Sequence, residues 1–301
     1  MGVHRGAAPV VVVGPTAAGK SDVAMAAARA VAGTEIVVVD AMQVYRGMDI
    51  GTAKPSAEDR AEVPHHCLDL VEPDVEFTVA DYRRAFDAAV ATIAGRSLLV
   101  AGTGLYLTAA LDRLDVPGVW PEIRAGLEGE DLSTLWSRLR SLDPVAAGRI
   151  EPGNRRRVVR ALEVCLGSGR PFSAFGPGVG SYPPTDAVIL GLRWPRPRLA
   201  ARIERRVATM VAAGLVDEVS RLARRGLSRT ARQALGYKEL LDHLDGRMSL
   251  DDAIAAVVVR TRQFAVRQER WFRRDPRVRW YDIDRDPVAE VAPAVADALR
   301  T

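Results

Sequence analysis

Lysine is nearly absent from this sequence: three among 301 residues, Lys20, Lys54 and Lys238, against 39 arginines. A chain so biased keeps lysine where a compact ammonium serves and a planar guanidinium fork does not. Cysteine is almost as scarce. Cys67 and Cys165 lie far apart, which argues against a disulfide scaffold and fits two reduced thiols in the cytoplasm. No run of about 18 apolar residues occurs, so no membrane-spanning helix is expected. Met1–Pro9 lead straight into an apolar stretch and leave no room for a secretory leader. No internal repeat or low-complexity tract is visible, and no feature calls for an obligate dimer, so a monomer is the default expectation.

What is present begins with Val10-Val11-Val12-Val13, a run that reads as a strand buried on both faces. The next eight residues, Gly14 to Ser21, fit G-x-x-x-x-G-K-[ST]. The two glycines let successive backbone N–H groups converge on one anion. A helix expected over about Asp22 to Ala32 adds the favourable end of its dipole. Lys20 places a positive charge on a phosphate, and the Ser21 hydroxyl can hold Mg²⁺.

Further buried strands are expected at Glu35–Asp40, Ser97–Ala101 and Ala187–Leu192, with a closing strand at Arg277–Ile283. Open α/β sheets bind ligands at the carboxyl ends of their strands. Asp40 and Thr103 therefore belong to the same crevice as the phosphate loop. Three readings of Asp40 stand side by side: a Mg²⁺ ligand or an acid behind the ion, a general base, or a turn cap. The stretch 41–55 has little periodicity and many polar ends, as a binding loop does, and Gln43 offers both a donor and an acceptor to a base edge. The adjacent His65 and His66 do not have metal-ligand spacing and read as structural.

Helices are expected at Thr78–Ala94, Ser133–Ser141, Arg155–Gly167 and Ser249–Arg274, and one is read from the apolar stripe Leu199, Ile203, Val207 and Met210. Arg198, Arg202 and Arg206 flank that stripe, where they can reach a polyphosphate. Buried strands vanish between about Leu114 and Asp186. The fold class is therefore α/β: a P-loop NTPase-like parallel sheet flanked by helices (1–113 and 187–301), with an inserted, mainly helical subdomain (114–186). Charge divides along the chain. Residues 1–150 carry 14 Lys+Arg and 20 Asp+Glu, whereas residues 151–301 carry 28 and 18. The basic half is a candidate nucleic-acid surface.

Several stretches together resemble the tRNA dimethylallyltransferases, the tRNA isopentenyltransferase family: GPTAAGKS at 14–21, DAMQVYRGMDIGTAKP at 40–55, PHHCLDL at 64–70, GTGLY at 102–106, RRRVVRALEV at 155–164, RIERRVATMVAAGLVDEV at 202–219, ALGYKEL at 234–240, and RQ at 267–268 ahead of WFR at 271–273. The match runs in family order along nearly the whole chain. It departs at Ala41, where the family usually has Ser, at Ala101 (Gly), at Ala18 (Ser) and at Val266 (often Lys). The resemblance implies transfer of a dimethylallyl group from dimethylallyl diphosphate to N6 of adenosine 37 in tRNA. It makes Asp40 the general base, with Thr103 beside it. Gly14, Thr16, Ala17, Ala18, Gly19, Lys20, Ser21, Arg202 and Arg206 would hold diphosphate with Mg²⁺. Asp40, Ala41, Met42, Gln43, Thr103, Arg124, Arg156, Arg157 and Arg160 would hold tRNA. A nucleotide or small-metabolite kinase shares the phosphate loop but does not explain the basic half or the 40–55 stretch. A non-catalytic RNA-binding P-loop protein explains the arginines and leaves Asp40 without a purpose.

Overall fold

The structure, a computed structural model, describes residues 8–112, 114–176 and 178–301. Among the described residues six strands form one sheet: β1 Val10–Val13, β2 Thr34–Val39, β3 His65–His66, β4 Arg96–Ala101, β5 Val188–Arg193 and β6 Val278–Asp282. Their order is β3-β2-β4-β1-β5-β6, and every pairing is parallel. An all-parallel sheet needs helices on both faces, which is why β1 can be four valines, each fully buried.

Thirteen α-helices accompany the sheet among the described residues. They are α1 Lys20–Ala30, α2 Ala57–Glu62, α3 Val79–Thr92, α4 Gly104–Leu111, α5 Pro121–Glu128, α6 Leu132–Leu142, α7 Pro144–Arg149, α8 Arg155–Ser168, α9 Arg196–Ala212, α10 Leu215–Arg225, α11 Tyr237–Leu244, α12 Leu250–Phe272 and α13 Pro287–Arg300. Local chemistry sets their starts. Ser56 with Asp59, and Thr78 with Asp81, form capping boxes at α2 and α3. Asn154 and Ser249 cap α8 and α12 through their side-chain oxygens. Helix α1 begins at Lys20, two residues earlier than the sequence suggests, because Gly19 takes a left-handed conformation (φ 93°) and turns the chain directly into the helix.

Two compact units result: 1–110 with 182–301, and 111–181. The first holds the sheet, with a core that includes Val10, Val12, Ile36, Leu98, Leu190, Ile203, Val291 and Val295. Burial of each such aliphatic side chain contributes about 1.5–3 kcal/mol. The second is built from α5 to α8 around Leu135, Leu139, Val158 and Leu162. Helix α13, which the sequence reading omits, packs on α1 and buries Val291, Val295 and Leu299. On α9, Leu199, Ile203 and Val207 are buried while Met210 is only half-buried.

Register decides where the crevice lies. Val13 pairs with Ala101, and Ala101 also pairs with Val39. The residues that follow these three strand ends, Gly14, Gly102 and Asp40, therefore emerge side by side. Ligands of doubly wound sheets sit at such a place.

Candidate active site

A cleft of about 670 Å³ opens at these strand ends, lined by Thr16, Ala17, Gly19, Lys20, Ser21, Asp40, Gln43, Arg202, Arg206 and Gln268 among others. The phosphate loop shapes one wall. Ala17 and Gly19 both adopt left-handed backbone (φ 62° and 93°), the conformation that aims successive amides at one point. Gly14 and Ala18 belong to the loop but do not line the cleft. At Gly14 a Cβ would come within 2.9 Å of the Leu192 carbonyl oxygen. The carbonyl of Ala18 accepts the Trp194 indole N–H at 3.0 Å.

Three cations converge on this wall. The Lys20 ammonium donates to the Pro15 carbonyl at 2.8 Å. Loss of hydration, and then the nearby Arg206 charge, bring its pKa down to about 7, while Asp40 works in the opposite direction. Burial also lowers the pKa of Arg206. Arg202 donates Nε–H to the Ala17 carbonyl at 2.8 Å and stacks over the Trp194 ring at 4.6 Å. Arg198, the first of the expected arginine row, turns instead to Asp284 at 2.5 Å.

The two oxygens of Asp40 differ in their surroundings. Oδ1 accepts the backbone N–H of Met42 at 2.8 Å and of Gln43 at 3.2 Å, so the carboxylate caps its own turn. Oδ2 has no hydrogen-bond partner among the described residues. It lies against Gly102, where a Cβ would stand 3.0 Å away. Desolvation raises the carboxyl pKa, opposed by the two backbone hydrogen bonds and then by Lys20 and Arg206. Thr103 takes the Ala41 N–H on its hydroxyl at 3.1 Å. It holds the turn around Asp40 and is not part of the cleft lining, and neither are Ala41 and Met42.

Gln268 belongs to the RQ pair at 267–268 of the family resemblance, which by itself implies no role for it. It is buried on α12. Its Oε1 accepts the Thr16 N–H at 2.8 Å, and its Nε2 donates to the Gly102 carbonyl at 2.7 Å. One amide thus ties the phosphate loop to the turn beside Asp40. Gln43 donates Nε2 to the carbonyls of Thr52 and Ala53 at 3.0 and 3.4 Å. Lys54 borders the cleft, but its ammonium is spent on the Tyr45 carbonyl and on Asp49 and Asp69, at 2.5, 2.8 and 2.5 Å. Lys238 sits on α11, outside the cleft lining. His66 pairs with Glu35 at 2.6 Å and His65 with the Val63 carbonyl at 2.7 Å, both on or beside β3.

The donor set bears on Mg²⁺. No group of three or more His, Cys, Asp or Glu that could hold a metal occurs among the described residues. A hydroxyl at the start of a phosphate-loop helix, with substrate oxygens completing the shell, is a normal Mg²⁺ arrangement, and Ser21 is exposed in that position.

The IPP transferase family model matches residues 43–275. The chain is 50% identical over 282 residues to the tRNA dimethylallyltransferase of Streptomyces coelicolor, covering 90% of this chain and 89% of that protein. The chain belongs to the IPP transferase family. The tRNA dimethylallyltransferase of Geobacter metallireducens is 47% identical, over 91% of this chain and 92% of that one. Among solved structures, the full-length tRNA isopentenylpyrophosphate transferase of Bacillus halodurans superposes with a TM-score of 0.71 at 36% identity, covering 97% of each chain. A eukaryotic dimethylallyltransferase described as acting on tRNA gives 0.75 at 25% identity, over 91% of this chain and 73% of that one.

The arginines of this IPP transferase-family chain that the sequence assigns to RNA all fall in the second unit, and they divide into two kinds. Arg160 and Arg124 surround the fully buried Glu163. Arg160 pairs with it at 3.0 Å and donates to the Pro117 carbonyl at 2.8 Å; Arg124 stands 3.7 Å from it. The Trp120 N–H closes the cluster on Glu163 at 2.8 Å. Arg156 and Arg157 are exposed in the first turn of α8 and make no side-chain ion pair among the described residues.

Proposed function

We propose that the chain transfers a dimethylallyl group from dimethylallyl diphosphate to the exocyclic N6 amine of adenosine 37 in tRNA, beside the anticodon, and releases diphosphate. The observation that carries this reading is one cleft in which a phosphate loop faces a strand-end carboxylate with an uncommitted oxygen. A leaving diphosphate explains the loop, and an acceptor that must lose a proton explains the carboxylate.

The N6 lone pair of adenine is delocalised into the ring, so the amine attacks only as its proton is taken. The new C–N bond forms while the C–O bond to diphosphate breaks. The proton passes to Oδ2 of Asp40, whose raised pKa suits a base. Charge grows on the departing diphosphate, where Lys20, Arg206 and the loop amides stabilise it. Arg202 secures the loop by its bond to Ala17. The Ser21 hydroxyl would hold Mg²⁺, which when bound supplies further positive charge to the leaving group. The target base must leave its stack to reach the cleft. Gln43 meets its edge, and Thr103 keeps the 40–43 turn in place. Arg156 and Arg157 grip RNA phosphates, while Arg124 and Arg160 act from the Glu163 cluster.

The chain works as a monomer in the cytoplasm in this reading. Both cysteines are free and buried, and no described helix is long and apolar enough to cross a membrane. Incubation of bulk tRNA with the protein, dimethylallyl diphosphate and Mg²⁺, followed by mass analysis of nucleosides, tests the proposal. A dimethylallyl-adenosine product without ATP supports it. Turnover that consumes ATP on a small acceptor, with no tRNA, would return the kinase reading.

A further inference from the structure

One carboxylate outside the reacting groups is wholly committed to a loop and a neighbouring tyrosine. Glu218 lies in the first turn of α10 and is buried. Its Oε2 accepts the backbone N–H of Asp49 at 2.9 Å and of Ile50 at 2.8 Å. Its Oε1 accepts the Gly51 N–H at 3.0 Å and the Tyr237 hydroxyl at 2.6 Å. Four donors saturate the acceptor capacity of a carboxylate. Three successive amides on one anion make a nest, the arrangement that usually receives a bound phosphate or carboxylate. Here the protein supplies the anion itself.

The loop so held is the one that orients Gln43. At Gly51 a Cβ would stand 2.5 Å from the Tyr237 ring and 2.9 Å from Leu215, so loop and helices are in close contact. The next two residues present their carbonyls to Gln43 Nε2. Only the NH₂ end of an amide can satisfy two carbonyls, which leaves the Gln43 carbonyl oxygen as its remaining polar atom. Gln43 shares the cleft with Asp40. An acceptor oxygen there suits a donor edge of a base.

We infer that Glu218 is a positioning residue for the acceptor base: by holding residues 49–51 it fixes which end of the Gln43 amide the base meets. This rests on the proposal that an adenine enters the cleft beside Asp40. Transfer by the parent protein tests that proposal first and separately; the variants below then test Glu218 alone.

The experiment is a double-mutant cycle on single-turnover transfer to an anticodon stem-loop, with dimethylallyl diphosphate affinity titrated directly. Glu218→Gln keeps the size of the side chain but turns one acceptor into a donor facing donors. It should lower kcat/KM for the stem-loop by about ten-fold or more and leave dimethylallyl diphosphate affinity within about two-fold, and in a Gln43→Ala background the same change should cost less than about three-fold. Equal losses in both backgrounds, or a parallel loss of dimethylallyl diphosphate binding, would overturn the inference and leave Glu218 a support of the fold. If Glu218→Gln does not fold, Tyr237→Phe removes one of the four donors and keeps the ring packing. It is judged by the same cycle, and additive losses again overturn the inference.

Discussion

At the scale of single residues, the chemistry proposed for the cleft turns on Asp40 and Lys20. In the proposed reaction the two oxygens of Asp40 divide a structural task from a chemical one. Asp40→Asn can retain the carbonyl oxygen that caps Met42 and Gln43, while it loses the oxygen proposed to take the proton. Single-turnover transfer should therefore fall about 10²–10⁴-fold, with stem-loop affinity nearly unchanged. Near-normal transfer would remove Asp40 from the role of base. Lys20 makes a second prediction. With its pKa at about 7 in the free protein, it is mostly neutral one pH unit above that value. A bound diphosphate favours the charged form and raises the pKa. Binding of dimethylallyl diphosphate at that pH should take up close to one proton, measured by calorimetry in two buffers of different ionisation enthalpy. Lys20→Ala should abolish the uptake, and an uptake of zero in the parent protein would contradict the placement. The same depressed pKa has a sign for stability. Between about 7 and the ordinary value of 10.5 the unfolded chain binds more protons than the folded one, so the contribution of Lys20 to stability rises with pH across that window.

At the scale of elements, α8 shows how one helix can carry two kinds of arginine. Its buried face, with Val158, Val159 and Leu162, packs the second unit. Arg160 sits at the edge of that face and is drawn to Glu163, one turn away. Arg155 caps carbonyls of Glu128 and Glu130 at 2.7 and 2.6 Å. Arg156 and Arg157 point away from the core. Replacing both by Ala should weaken stem-loop binding and flatten its salt dependence, each lost phosphate contact lowering the log–log slope by about 0.7–0.9. Fluorescence titration over a salt series measures this, and affinity for dimethylallyl diphosphate should not change. An unaltered slope would move the RNA grip to α12, where Arg267 and Arg270 are also exposed.

At the scale of the whole molecule, two separate cores make ligand effects local. The first unit holds the cleft and its own core, and the second is packed around Leu135, Leu139 and Leu162. A ligand that binds only the folded first unit at about 100 times its Kd stabilises that unit by about 2.7 kcal/mol. Hydrogen exchange with saturating dimethylallyl diphosphate should slow in β1, α1 and β4, while the amides of α6 and α8 keep their rates. Equal slowing in both units would show that they open as one.

Much of this is legible in the sequence. Four valines, a glycine-spaced loop and a strand ending in Asp40 are local signals, since burial periodicity and turn chemistry act over a few residues. They sufficed for the parallel sheet, the phosphate loop and the place of Asp40. The family match added the reaction, because the 40–55 stretch is a long and specific pattern. What the chain could not disclose were pairings between distant residues. Gln268 meets Thr16 across 252 positions, and Glu218 meets the 49–51 loop across more than 160; neither spacing has a periodicity to read. The same reason explains α13, whose apolar face declares its partner only once α1 is folded beside it. Scarcity of lysine pointed to Lys20 and Lys54 alike; the loop motif set Lys20 on the phosphate wall, and only tertiary packing buried Lys54 between two aspartates. Composition and short-range pattern determine which groups a segment carries. Which of those groups stay free to react depends on what the folded neighbours have already satisfied.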